Sequence, residues 1–173
     1  MTRAPDILTA SRGVIAALII ALGFLGPRAL GWVVFLTMIG WTTDILDGRL
    51  ARRQRKGPTW VGEHEFAFDM LMVFAALCYL VMAGFVPVIP AAIYVAVAAL
   101  FIVMFQSKSV TMSFAFPLVA LPLVVAYFCA PQAAYIYIAW IGLALIYDWR
   151  RFVGVVREFL VNIKDLYKRL GAD

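Results

Sequence analysis

Asp44-Ile45-Leu46-Asp47-Gly48-Arg49-Leu50-Ala51-Arg52, with a second acidic pair at Glu65 and Asp69, is where carboxylates crowd into an otherwise apolar chain. Asp44, Asp47, Gly48, Ala51 and Arg52 fall at i, i+3, i+4, i+7 and i+8, which puts them on one stripe of a helix. Glu65 and Asp69, at i and i+4, share a face just before the next apolar run. Two such helices facing each other present four carboxylates, an oxygen-rich set suited to a hard cation such as Mg²⁺. Gly48 and Ala51 leave room on the stripe for a ligand. Arg52, with Arg49, Arg53, Arg55 and Lys56 around it, supplies positive charge suited to phosphate. Acid pairs, small residues and a basic flank point to metal-assisted chemistry on a phosphate ester.

Composition sets the class. The chain is 65% hydrophobic, 14% charged and has a mean hydropathy of +0.94, the profile of an integral membrane protein. A bilayer-spanning helix needs about 20 mostly apolar residues. Six stretches qualify: Ile7–Leu25, Leu30–Leu46, Phe66–Val86, Val88–Phe105, Val110–Cys129 and Gln132–Tyr147. Breaks fall at Gly26-Pro27, Lys56-Gly57-Pro58, Pro87, Pro90, Ser107 to Ser109, and Pro131. With no repeat and no low-complexity linker, residues 1–173 read as a single domain.

With six spans, both termini and the loops after the second and fourth spans share one side. That side collects Arg3, Arg12, Arg49, Arg52, Arg53, Arg55, Lys56, Lys108 and the basic tail, and only Arg28 lies opposite. The positive-inside rule then places both termini and the acidic stretch in the cytoplasm. A bacterial inner membrane is the expected location.

The opening Ala4 to Arg12 reads as an amino-terminal juxtamembrane segment, with Arg12 snorkelling to the interface. Asp6 and the lack of a small-residue cleavage site argue against a signal peptide. Cys78 and Cys129 lie in apolar runs and read as small buried hydrophobes rather than a disulfide or a metal pair. Trp32, Trp60, Tyr135, Tyr137, Trp140 and Trp149 read as interfacial anchors. From Asp148 the tail is a carboxyl-terminal amphipathic helix, with Phe152, Val156, Phe159, Leu160, Ile163, Leu166, Tyr167 and Leu170 on one face. Such a helix lies on an anionic leaflet or packs on a sister subunit. The net charge of +5 belongs to the membrane surface, and nothing points to nucleic acid.

The central motif resembles that of the CDP-alcohol phosphotransferases, D-x2-D-G-x2-A-R-x8-G-x3-D-x3-D. Asp44, Asp47, Gly48, Ala51, Arg52 and Asp69 match at the required spacing. Val61 stands at the second glycine and Glu65 at the third aspartate. Members of the family often open with P-N-x-L-T-x-x-R, and Pro5, Leu8, Thr9 and Arg12 match that too. The likeness therefore covers nearly the whole chain.

The resemblance implies two divalent cations, Mg²⁺ or Mn²⁺, held by Asp44, Asp47, Glu65 and Asp69. It implies nucleotide contacts at Gly48, Ala51 and Arg52, and Asp69 as the base that activates an acceptor hydroxyl. It implies a CDP-linked donor, CDP-diacylglycerol or a related CDP-alcohol, with CMP as the product. Membrane lipids are further expected partners, and a homodimer is the family's usual assembly. Glycerophosphate-using relatives often carry G-K-x-x-T where this chain has Ser107-Lys108-Ser109-Val110-Thr111, so Lys108 reads either as a contact to an acceptor phosphate or as a topology signal. These features favour a phosphatidylglycerophosphate synthase-like member that uses glycerol 3-phosphate.

Two other readings stand beside this one. Val61 and Glu65 motivate a weakened relative that keeps the fold and serves as a lipid-binding or partner subunit. An intramembrane prenyltransferase also uses acid pairs and Mg²⁺ on a pyrophosphate, although the Asp-Gly-x-x-Ala-Arg continuation and the short chain argue against it.

Overall fold

The computed structural model describes residues 4–53, 59–149, 152–154, 156–157 and 159–161. Of Ala51, Arg52 and Arg53 it describes the backbone alone. Most of the described residues are helical, and none of them is in a strand. Helix α1 (Ala4–Leu22) begins with Pro5 and Asp6 in its first turn, where a missing N–H and a negative charge both suit the helix amino end. A 3-10 segment, Gly23–Ala29, follows. Within it Gly26 adopts φ 68° and ψ −154°, a conformation that only glycine reaches cheaply. The hydroxyl of Tyr79 donates to the Gly26 carbonyl at 3.1 Å, satisfying a group freed by this break.

The chain continues as α2 (Leu30–Arg53), the one-turn α3 (Trp60–Glu63) and α4 (Glu65–Met82). It closes with α5 (Val88–Phe105), α6 (Lys108–Cys129) and α7 (Pro131–Tyr147). Gly84, at φ 78°, ends α4 with a left-handed turn in which Phe85 N–H donates to the Leu80 carbonyl at 2.9 Å. The described positions beyond Trp149 are helical. The tail residues Ile163, Leu166, Tyr167 and Leu170 lie outside the described residues.

Four segments are long and apolar enough to cross a membrane: Pro5–Leu50, Glu65–Met82, Val88–Phe105 and Lys108–Cys129. The first of them holds both α1 and α2, joined through the break at Gly26. The chain is therefore an all-helical membrane protein. The six expected stretches fall in turn on α1, α2, α4, α5, α6 and α7, with α7 the shortest at 17 residues.

Packing centres on α1, which lies against both α2 and α4. Ile15, Ala16 and Ile19 of α1 meet Leu30, Val33 and Val34 of α2 and Met72, Ala75, Tyr79 and Leu80 of α4. Ala126 of α6 and Ala134 and Tyr137 of α7 close this core. α5 is peripheral and turns Val88, Ile89, Ile93, Val103 and Met104 outward, as a helix facing hydrocarbon does.

Gly40 decides how α2 meets α4. A Cβ there would overlap the end of the Met72 side chain, so the missing side chain is what gives the methionine its place against α2. One turn further along α2 stands Asp44, and one turn back along α4 stands Asp69. The contact therefore lies one turn from both acidic stripes.

Several expectations change. The amino-terminal segment is no separate juxtamembrane element but the first turns of α1, because its polar face finds partners inside the protein. Cys129 is exposed and Cys78 half-buried, each unpaired, since α4 and α6 present apolar side chains outward as well as inward. Tyr137 is buried in the core, and Trp140 packs beside it with its indole N–H donating to Thr42 Oγ1 at 3.2 Å. A polar partner on a neighbouring helix replaces the headgroup region expected for these two rings. Trp32, Trp60, Tyr135 and Trp149 remain exposed.

Candidate active site

The acidic residues come together around one arginine. Arg12, on the third turn of α1, has no exposed surface. Its Nη1 donates to Asp44 Oδ1 at 2.8 Å and to Asp69 Oδ1 at 2.7 Å, while Nη2 donates to Asp47 Oδ2 at 2.7 Å. One guanidinium from α1 therefore ties two carboxylates of α2 to one of α4. Thr9, one turn earlier on α1, donates to the same Asp47 oxygen at 2.9 Å. Snorkelling is thus excluded: the nearest polar partners of Arg12 are these carboxylates, not the interface.

Glu65 joins the same group. Asp44, Asp47 and Glu65 each offer a carboxylate oxygen within 4.8 Å of the others. As the first residue of α4, Glu65 reaches the cluster with one more methylene than aspartate has. The segment before it is held by Thr59, which caps α3 by accepting the Gly62 N–H at 3.2 Å and donates its own hydroxyl to buried Asp6 of α1.

Val61, at the motif's second glycine, lies within the α3 turn, and the positive-φ glycines among the described residues are Gly26 and Gly84. No left-handed backbone at position 61 calls for glycine. His64 and Glu63 are exposed, with His64 stacked on Trp60 and its Nδ1 2.8 Å from the Trp60 carbonyl oxygen. They act as spacers ahead of α4.

A divalent cation fits this set on one observation in particular. Asp47 Oδ1 is buried with no hydrogen-bond partner, an expensive state for a carboxylate oxygen that a cation would relieve. With the Asp44 and Glu65 oxygens alongside, the donors are the hard oxygens that Mg²⁺ or Mn²⁺ takes.

The acids open onto a greasy cleft of about 900 Å³. Asp44 and Asp69 stand in its wall with Phe66, Met70, Phe116, Val119, Ile141 and Leu145. Phe152, Val156 and Phe159 of the tail line it as well. At the tail's origin Arg49 donates to the Tyr147 carbonyl at 2.7 Å and lies 3.7 Å over that ring. Arg49 also approaches Asp148 at 3.6 Å.

The other expected residues distribute as follows. Gly48 is half-buried on α2, one residue past Asp47. Ala51 and Arg52 continue that helix, their side chains outside the described set, as are Arg55 and Lys56 altogether. Lys108 is not in a loop: it is the first residue of α6, and exposed. One turn further on, Met112 and Ser113 reach the cleft.

Arg12, Thr9 and Asp6 are the site residues that composition and local spacing missed. The signal was present, since Asp6, Thr9 and Arg12 follow each other at i+3 steps along one face of an apolar helix.

A helical membrane protein whose half-buried carboxylates open onto an apolar cleft is suited to chemistry on an amphiphile's polar end. The family model for CDP-alcohol phosphatidyltransferase matches residues 2–149, so the chain belongs to that family. Members transfer a phosphatidyl group from a CDP-alcohol to an alcohol acceptor and generally use a divalent metal. No curated protein and no solved structure matches the chain.

Proposed function

We propose that this chain is an active phosphatidyltransferase that moves the phosphatidyl group of CDP-diacylglycerol to a small alcohol, glycerol 3-phosphate first among the candidates, and releases CMP. The observation that carries the reading is the position of Asp44 and Asp69 at the wall of an apolar cleft. A donor whose diphosphate meets the acids can lay its hydrocarbon along the cleft.

In this reading Asp44, Asp47, Glu65 and Asp69 hold the metal, and Gly48, Ala51 and Arg52 meet the nucleotide. The bound metal supplies charge neutralisation on the diphosphate oxygens. Asp69 takes the proton of the acceptor hydroxyl as that oxygen bonds to the phosphorus bearing the lipid. The bond from this phosphorus to the oxygen of CMP breaks, and CMP carries away its electron pair. Arg12 keeps Asp69 beside Asp44 during the transfer. Lys108 is assigned to the acceptor's phosphate.

Six crossings, with both termini and the acids on the cytoplasmic side of a bacterial inner membrane, and assembly as a homodimer complete the reading. The even span count and the basic residues gathered on one side support that orientation.

The test is CMP release by the purified chain in detergent and lipid, with CDP-diacylglycerol, Mg²⁺ or Mn²⁺, and a panel of acceptors. Glycerol 3-phosphate, phosphatidylglycerol, inositol phosphate and serine form the panel, with Asp69→Asn as control. Acceptor-dependent CMP that disappears in the control supports the transferase and names the alcohol. Silence with every acceptor, despite bound metal and nucleotide, moves the reading to the weakened relative. Pyrophosphate as the product from a prenyl donor moves it to the prenyltransferase.

A further inference from the structure

Arg12 does more than pair charges: it takes one oxygen from each of three aspartates. Asp44 gives Oδ1, Asp69 gives Oδ1 and Asp47 gives Oδ2, all at 2.7 to 2.8 Å from guanidinium nitrogens. Asp47 Oδ2 accepts from Thr9 as well. The oxygen of Asp47 that has no hydrogen-bond partner is the other one, Oδ1, and it is buried. Each aspartate therefore has one oxygen already engaged by Arg12.

That restriction has a chemical consequence. Ca²⁺ collects six to eight oxygens and readily takes both oxygens of one carboxylate, whereas Mg²⁺ wants six in near-ideal octahedral order and keeps several waters. A site whose aspartates each commit an oxygen to an arginine is less able to give a cation both oxygens of one carboxylate, which disfavours the larger shell. We infer that Arg12 is a positioning residue that holds Asp44, Asp47 and Asp69 to one-oxygen presentation and so makes the site prefer Mg²⁺ or Mn²⁺ over Ca²⁺. The inference rests on the proposed function only in that a divalent cation binds these acids.

The experiment measures binding, not turnover. Free Mn²⁺ is read by electron paramagnetic resonance over the detergent-solubilised full chain, and Mg²⁺ or Ca²⁺ is titrated in as competitor. Removing a positive charge strengthens binding of every divalent cation alike, so the ratio of Ca²⁺ to Mg²⁺ competition is the informative quantity. Arg12→Gln is expected to shift that ratio towards Ca²⁺ by about 10-fold, the lower end of what loss of an outer-shell partner does to metal affinity. Arg12→Lys, a point charge that cannot span three carboxylates, shifts it by less.

Should Arg12→Gln not fold, Thr9→Val releases one of the two donors on Asp47 Oδ2 and is expected to shift the ratio in the same direction by a smaller factor. An unchanged ratio in a folded Arg12→Gln, or in Thr9→Val where that is the variant read, overturns the inference. So does wild-type Mn²⁺ binding that survives Asp44→Asn, or no Mn²⁺ binding at all. A shifted ratio in a chain that releases no CMP upholds the inference and removes only the transferase reading. Normal CMP release with an unshifted ratio does the reverse.

Discussion

Gly40 of α2 lies so close to Met72 of α4 that a side chain at residue 40 would overlap the methionine's thioether. Met72 is buried, so it has little room to give way. The contact sits one turn from Asp44 and Asp69, which Arg12 joins through one guanidinium nitrogen. Gly40→Ala is expected to cost about 1–3 kcal/mol through overpacking, read as a lower unfolding temperature in detergent. Met72→Ala in the same chain should recover part of that loss, because it opens the space that the new methyl needs. A double-mutant cycle with no coupling between the two sites would show that the helices meet elsewhere.

Asp69 is the residue whose loss should separate chemistry from binding. Asp69→Asn keeps the shape and an acceptor oxygen towards Arg12 but cannot take a proton. CMP release is expected to fall by about 10²–10⁴-fold, the usual contribution of a general base. Binding of a CDP-linked donor should fall by less, because Asp44, Asp47 and Glu65 remain to hold the metal. A variant with near-normal turnover would move the base elsewhere.

Glu65 departs from the family motif, yet its carboxylate lies with those of Asp44 and Asp47. From the first residue of α4 the longer side chain already brings its carboxylate to the cluster. Glu65→Asp should therefore weaken the site rather than repair it, raising the metal concentration for half-maximal activity by about 10-fold. Val61→Gly, in a helical turn that needs no special backbone, should add nothing. A gain in CMP release from the pair of changes would instead mark the present chain as a weakened relative.

Thr59 joins α1 to the segment ahead of Glu65, since its hydroxyl donates to Asp6 while its oxygen caps α3. Thr59→Ala removes both bonds and is expected to cost about 1 kcal/mol, as lost caps do. Hydrogen exchange at Val61, Gly62 and Glu63 should accelerate. Slow exchange that persists in the variant would show that α3 is held by other contacts.

Much of this protein was legible in one dimension. Hydropathy alone marks a membrane chain, because apolar surface on this scale has no other home. The stripe of Asp44, Asp47 and Gly48 and the pair Glu65 and Asp69 follow from helical periodicity, which is local and needs no partner. The breaks at Gly26, Pro87 and Pro131 are equally local, since φ restrictions act on single residues. The tertiary structure alone decided which side chains complete the site. Arg12 pairs with residues 32, 35 and 57 positions away, and no periodicity reaches that far. Where the chain fixes only that an arginine lies near a helix end, snorkelling and burial look alike; packing of α1 between α2 and α4 chose burial. Tyr137 passed from interface to core for the same reason. Burial is a property of neighbours, and the neighbours come from remote parts of the chain.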